Sequence, residues 1–203
     1  SRNSWRCALE LRSHVDSDMK NPNGRKLFVT CDFPPVLGGQ ANYFKNLWLE
    51  RDLENDRLLL PESCKAFCAS SRLSNVRFVR LPSGETGFAR LGRFASLFFA
   101  LLGQCLAFRP AEIHAGQILS TGLCCRLLKP VFRFRYVLYL FGADVMEFTR
   151  FRAFQRLMLS IMRRSSLMIA CSNYTARYLK EKYQGAPAAV VVNPGVEDRF
   201  FEE

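Results

Sequence analysis

Residues 30–48 read TCDFPPVLGGQANYFKNLW, and the order of residue types in this stretch decides the fold. KLFVTC (26–31) is a short apolar run rich in strand formers. Pro34 and Pro35 stop it, because proline lacks the amide that a sheet ladder needs. After Gly38 and Gly39 the spacing turns helical, with Ala41, Phe44, Leu47 and Trp48 on one face. Strand, glycine turn and amphipathic helix in quick succession open a β-α-β unit. Two readings of the glycines stand. Either they form a plain turn that needs positive φ, or they let the backbone approach an anion held by the free amides and dipole of the helix start at Gln40. The stretch is neither a G-x-G-x-x-G fingerprint nor a P-loop, since no G-K-[ST] follows.

The same alternation continues outward. DRLLL (56–60) reads as a strand, and VRFVRL (76–81) alternates with period two, as a half-exposed strand near a sheet edge does. The apolar stretch 90–108 predicts a helix ended by Pro110, followed by a strand at EIHA (112–115). STGLCCRLLKPVF (120–132) reads as helical and RYVLYLF (135–141) as a buried strand. Residues 150–164 predict a helix with Phe151, Phe154, Met158 and Ile161 on one side. LMIACS (167–172) predicts a strand, NYTARYLKEKY (173–183) a helix, and AAVVVNPG (188–195) a last strand.

Strand then helix, joined by short connections, implies an α/β domain: a Rossmann-like, doubly wound, mostly parallel sheet with helices on both faces. In such sheets ligands bind beyond the carboxyl ends of the strands. That is where Gly38, Gly39, His114, Phe141, Gly142, Asp144, Ser172, Asn173 and the Asn193-Pro194-Gly195 turn fall. Residues 1–23 are polar, end in the turn cluster NPNG, and read as a leader without chemistry of its own.

With 203 residues and a 49% hydrophobic fraction, the chain has enough apolar material for a core. Its 29 Lys and Arg against 18 Asp and Glu give a net charge of +11, which favours anionic partners such as phosphorylated compounds or an anionic membrane surface. Nucleic acid has no support beyond charge, for there is no RNP, KH or helix-turn-helix pattern. None of the eight cysteines falls in a zinc spacing, and Cys64-x-x-x-Cys68 lacks a second ligand pair; reduced thiols in a cytosolic protein are the expectation, with no metal. No secretory signal pattern opens the sequence. Phe94–Phe108 is the most lipid-like segment, and its length falls short of the ~20 residues needed to span a bilayer. Arg126, Lys129, Arg133 and Arg135 precede one strand, and Arg150, Arg152, Arg156, Arg163 and Arg164 stud a helix whose other face is apolar. That helix is either an ordinary solvated face or a basic amphipathic helix for an anionic leaflet.

Five stretches, in order, resemble family 4 glycosyltransferases of the GT-B fold. DFPPVLGGQANYFKNL is similar to that family's D-x-P-P-x-x-G-G loop and helix, and RPAEIHAGQ to its R-P-D-x-I-H-A-H segment. YVLYLFGADV resembles its strand ending in H-G-x-D, LMIACSNYTARYL its V-I-A-V-S-x-x-T segment, and VVVNPGVEDRFF its I-P-N-G-V-D-x-x-x-F linker. The resemblance covers about residues 26–201 and implies that residues 24–196 are the N-terminal, acceptor-side half of such an enzyme. Residues 197–203 would begin the linker to a C-terminal, donor-binding domain that carries the E-x7-E motif.

By that resemblance, Gly38, Gly39 and Gln40 face the diphosphate of a nucleotide-sugar donor. His114, Phe141, Gly142, Asp144, Ser172 and Asn173 lie toward the acceptor or the transferred sugar. The reaction implied is retaining transfer of a sugar to a hydroxyl of a glycan or lipid-linked acceptor, without cofactor or metal, on the cytoplasmic side and peripherally on the inner membrane face. Two positions depart from the pattern. Phe141 stands where the family's H-G-x-D histidine, which lies near the transferred sugar, is placed, and Gly116 stands where a second histidine is common. Phenylalanine neither donates a hydrogen bond nor carries a proton, which also admits a non-catalytic partner subunit, and no catalytic residue is assigned. Each polar candidate has a structural alternative: His114 satisfied by backbone, Asp144 as the N-cap of a helix after strand 135–141, and Ser172 with Asn173 capping helix 173–183.

Overall fold

The computed structural model describes residues 24–49, 55–71, 73–84, 86–146 and 151–194. The leader (1–23), Arg150, Gly195 and the start of the linker (197–203) lie outside the described residues.

The chain alternates throughout. Strand β1 (Lys26–Val29) leads to helix α1 (Gly39–Leu49), and β2 (Arg57–Pro61) leads through a tight turn to α2 (Lys65–Ser70). Then come β3 (Val76–Val79), the long α3 (Gly87–Ala107) and β4 (Glu112–Ala115). A π-helical turn (Ile118–Gly122) runs into α4 (Leu123–Leu128), followed by β5 (Arg135–Leu140), α5 (Gly142–Met146) and α6 (Arg152–Met162). The described part closes with β6 (Leu167–Ala170), α7 (Asn173–Lys182) and β7 (Val190–Val191).

All seven strands are parallel, in the order β3-β2-β1-β4-β5-β6-β7. The chain winds outward from β1 to β3, then returns to lay β4 against β1 with Val29 opposite Ala115. The winding direction reverses between β1 and β4, and in sheets of this kind such a reversal marks the ligand-binding crevice beyond the carboxyl ends of the strands.

Period-two alternation sends the residues of each strand to opposite faces. In β5, Tyr136, Leu138 and Leu140 enter one core with Leu97 and Leu101 of α3, Cys125 of α4, Ile161 of α6 and Leu179 of α7. Val137 and Tyr139, with Phe141 just beyond, enter the other core with Phe44 and Trp48 of α1 and Cys68 of α2. Burial on both faces is why RYVLYLF reads as a continuous apolar run. The second core is mostly aromatic: Phe44 and Trp48 stack at 4.5 Å, and Phe28 meets Trp48 at 5.2 Å.

The expected elements form, with shifted ends. β3 is the edge strand that its alternation implies. Helix α3 starts at Gly87, where the Thr86 hydroxyl accepts from the Ala89 amide at 3.2 Å. It stops at Ala107, ahead of Pro110, through Arg109 in the left-handed region at φ 50°. Among the described residues no helix is long and apolar enough to cross a membrane. Strand 188–195 contracts to Val190–Val191, an edge strand whose ladder has β6 on one side only. Helix α5 begins at Gly142, which places Asp144 inside its first turn and not at the N-cap; an acid there still favours the helix dipole. The seven described cysteines are free, five of them buried. Burial pushes the Cys105 thiol up to about 12 and, with Cys64, the Cys68 thiol up to about 11, as in inert core thiols.

Candidate functional site

The candidate residues lie on the loops that leave the carboxyl edge of the sheet after β1, β4, β5 and β6. The first is held by a clamp. Thr30, fully buried, donates to the Asp32 carbonyl at 3.2 Å and accepts from the Asp32 amide at 3.1 Å. Gln117, in the loop after β4, donates through Nε2 to Thr30 Oγ1 at 2.8 Å and to Asp32 Oδ2 at 3.1 Å. Its Oε1 accepts from the Cys31 amide at 3.2 Å. Gln117 is itself fixed by Thr121, whose Oγ1 accepts from the Gln117 amide at 3.0 Å and donates to the Gln117 carbonyl at 2.7 Å. The loops flanking the crevice are thus tied together at their base. Sequence reasoning gave Gln117, Thr30 and Asp32 no role; a polar glutamine directly after a buried strand was the available signal.

Beyond the clamp the loop rises to an exposed tip, with Leu37 97% exposed, before α1 begins. Neither Gly38 nor Gly39 has positive φ; among the described glycines those that do are Gly84 and Gly185. A Cβ built at Gly38 or Gly39 meets nothing within 4 Å. The turn reading that required positive φ is therefore ruled out, and open space lies in front of both residues. The ladder of α1 opens with the Asn42 amide donating to the Gly38 carbonyl at 3.1 Å, so the Gly39, Gln40 and Ala41 amides precede it. Gln40 is half-buried, and its Oε1 has no hydrogen-bond partner among the described residues.

His114 lies below this edge, 4% exposed, stacked on Phe28 at 4.4 Å. Its Nδ1 is 2.9 Å from the Tyr139 hydroxyl and its Nε2 is 2.9 Å from Glu112 Oε1. Side chains, not backbone, satisfy it. Desolvation pushes the buried Glu112 carboxyl up, but the hydrogen bond and charge of His114, with Lys26 and Arg135, hold it below the usual range.

Phe141 is 8% exposed and meets Tyr43 at 5.4 Å and Phe44 at 5.5 Å, both edge-on. The structure thus joins His114 to Phe141 through Tyr139, Tyr43 and Phe44 in one aromatic layer. Burial, with Tyr139 and Cys171 nearby, drives the Tyr43 hydroxyl far above its ordinary value. That hydroxyl has no hydrogen-bond partner among the described residues. Gly142 is half-buried, 3.8 Å from Thr175 Oγ1 at its Cβ position, so the first turns of α5 and α7 adjoin. Ser172 caps α7, its hydroxyl accepting from the Thr175 amide at 3.1 Å, and Asn173 is the exposed first residue of that helix. Gly116 has no room for a side chain: a Cβ would stand 2.8 Å from Thr30 Cβ and 3.0 Å from Phe44 Cζ. Asn193 and Pro194 are exposed past β7. No group of His, Cys, Asp or Glu among the described residues is arranged to hold a metal ion.

A seven-stranded parallel sheet that reverses between β1 and β4, with a clamped glycine loop at its carboxyl edge, defines a Rossmann-like α/β domain. Solved structures share it. HepE from Anabaena in complex with UDP-glucose superposes with a TM-score of 0.62 at 16% identity, over 88% of this chain and 46% of that one. Arabidopsis thaliana UGT89C1 complexed with UDP-L-rhamnose superposes with a TM-score of 0.57 at 13% identity, over 88% of this chain and 50% of that one. The UDP-GlcNAc 2-epimerase of Methanocaldococcus jannaschii gives 0.54 at 15% identity, over 82% and 45%. The chain spans about half the length of these proteins, and the likeness is one of fold. No family model and no curated protein matches the sequence.

Proposed function

We propose that this chain is the acceptor-side domain of a retaining glycosyltransferase of the family 4 type. It would move a sugar from a nucleotide-sugar donor to a hydroxyl of a glycan or lipid-linked acceptor. The observation that carries the reading is the open space before Gly38 and Gly39 at the start of α1, on the crevice between β1 and β4. The structural neighbours bound to UDP-glucose and UDP-L-rhamnose support it, as does the chain's match to about half of each.

In this reading a second domain brings the nucleotide to the crevice. As the glycosidic bond to the donor breaks, negative charge grows on the leaving diphosphate. The Gly39, Gln40 and Ala41 amides and the α1 dipole would stabilise that charge, with no reorganisation because the Gln117 clamp already fixes the loop base. His114, Phe141, Gly142, Asp144, Ser172 and Asn173 belong to the strand ends and loops of the acceptor side. Work on the cytoplasmic face of a membrane, docked peripherally, fits the charge of +11.

The test is nucleoside diphosphate release by the full-length protein from a panel of nucleotide sugars, with and without glycan acceptors. A non-catalytic partner subunit is the second reading, favoured by the buried Phe141 and by a His114 whose ring nitrogens both have partners. Binding of a nucleotide sugar without turnover on any acceptor selects that reading, and absence of nucleotide-sugar binding overturns both.

A further inference from the structure

On the outer helical layer, α4 and α6 leave between them a cleft of about 360 Å³ lined by Arg126, Arg156, Leu159, Ser160, Arg163 and Arg164. It is remote from the glycine loop. Helix α6 descends from the carboxyl edge of the sheet to its amino edge, where the Ser166 amide donates to the carbonyl of Tyr136 near the start of β5. Arg163 and Arg164 therefore mark the end of the domain opposite Gly38 and Gly39.

The cleft is built. Arg126 Nε donates to Ser160 Oγ at 2.7 Å, which sets its guanidinium against α6. Arg163 Nε donates to the Gly185 carbonyl at 3.0 Å. Gly185 has φ +79°, and a Cβ there would collide with Arg163 Nη2, so the glycine lets the arginine lie across the backbone. Lys129 Nζ donates to the Arg164 carbonyl at 2.6 Å, and burial together with Arg164 pulls that ammonium below its ordinary value.

Among the described residues no acid pairs with these cations. The ion pairs Lys65–Glu62 and His114–Glu112 both lie away from the cleft. A solvated basic face spreads its charges on mobile side chains, whereas here two arginines are anchored through Nε around a concavity. Planar guanidinium forks match phosphate oxygens, and a bound anion would relieve the repulsion among them.

We propose that the α4–α6 cleft is an anion site for the phosphate group of a phosphomonoester or pyrophosphate compound, separate from the donor crevice. A free phosphorylated compound and a phospholipid headgroup share that chemistry. The cleft's size is in the range of small-ligand pockets, ~300–1,000 Å³, so it takes more than a bare ion.

The experiment uses the full-length protein and two probes, inorganic pyrophosphate by calorimetry and phosphatidylcholine vesicles doped with phosphatidic acid by sedimentation. Arg156→Gln and Arg164→Gln alter cleft residues whose side chains make no hydrogen bond or ion pair among the described residues; Arg152→Gln removes the same charge from α6 outside the cleft. Saturable binding, weakened about tenfold or more by the first two substitutions and unchanged by Arg152→Gln, is expected, with melting temperatures alike. Pyrophosphate binding without vesicle sedimentation assigns a free compound; sedimentation competed by pyrophosphate assigns a headgroup. Binding of neither probe overturns the proposal, and so does equal loss in all three variants, which would mean diffuse charge. Binding indifferent to Arg156 and Arg164 overturns it too, and would place the anion elsewhere, as at the donor crevice.

Discussion

Gln117 and Thr30, 87 residues apart in the chain, are joined by a 2.8 Å hydrogen bond from the glutamine amide to the threonine hydroxyl. With its bonds to Asp32 and the Cys31 amide, Gln117 uses both ends of its side chain on one loop. Gln117→Ala leaves the Cys31 amide and one bond at Thr30 unmet. A cost of about 1–3 kcal/mol is expected, read as a lower urea midpoint at unchanged slope. If the full-length protein transfers a sugar as proposed, its turnover should fall further than stability accounts for, because the loop that ends at Gly38 loses its base. Activity unchanged at full folding would show that the loop needs no clamp.

Glu112 predicts a pH dependence. Its folded pKa is depressed from the ordinary 4.5, so the stability it contributes is present above that value and lost as pH falls through the folded pKa. Glu112→Gln removes the titration while keeping an oxygen for the His114 ring to donate to. Denaturant midpoints measured from neutral pH downward should show the wild-type protein losing stability more steeply than Glu112→Gln below about pH 4.5. Parallel curves would mean that the pair titrates alike folded and unfolded.

The positions of Glu112 and His114 show where a single sequence stops being legible. EIHA is visible as a strand because Pro110 ends the helix before it and Gly116 follows it. Its partners are not visible: register sets His114 opposite Val137, and only then does Tyr139, two residues on, reach the same face beside the imidazole. Gln117 is hidden for the same reason, since Thr30 and Asp32 are its neighbours only through the β1–β4 pairing. Short α2 escapes the periodicity test, with little more than one turn to carry a pattern. The alternating, parallel architecture was legible because each strand-helix pair carries its own signal, whereas the strand order was not; β7 overran in the sequence because its apolar residues outnumber those that β6 pairs.

Phe141 is wedged between the rings of Tyr43 and Phe44. Phe141→Ala should therefore cost about 3–5 kcal/mol, as other core aromatics do. Thermal unfolding measures it. A shift within about 0.5 kcal/mol would instead mark a surface side chain free to serve substrate alone.

Gly116 and Gly39 separate two uses of glycine. At Gly116 the space is taken, with Thr30 2.8 Å from a new Cβ and the Gln117 clamp directly beside it. Gly116→Ala should destabilise by about 1–3 kcal/mol, since the backbone must shift to admit one methyl group. The larger histidine should be worse. An unchanged denaturant midpoint for Gly116→Ala would show that Thr30 yields at no cost.

At Gly39 the geometry reverses. A Cβ meets nothing, φ is not positive, and the residue is the first of α1. Alanine is the better helix former, so Gly39→Ala should leave stability unchanged or raise it by up to about 1 kcal/mol. If α1 receives the donor diphosphate, the same methyl group stands between its amides and the phosphate oxygens, where a hydrogen bond of about 3 Å leaves no room. Any glycosyl-transfer turnover by the full-length protein should then fall at least tenfold while the melting temperature holds, a loss of about 1.4 kcal/mol of transition-state stabilisation. Serine at the same position, only slightly larger, should behave like alanine, which separates bulk from chemistry. Normal kinetics in both variants would place the leaving diphosphate away from Gly38 and Gly39 and leave the glycine pair as an exposed loop end.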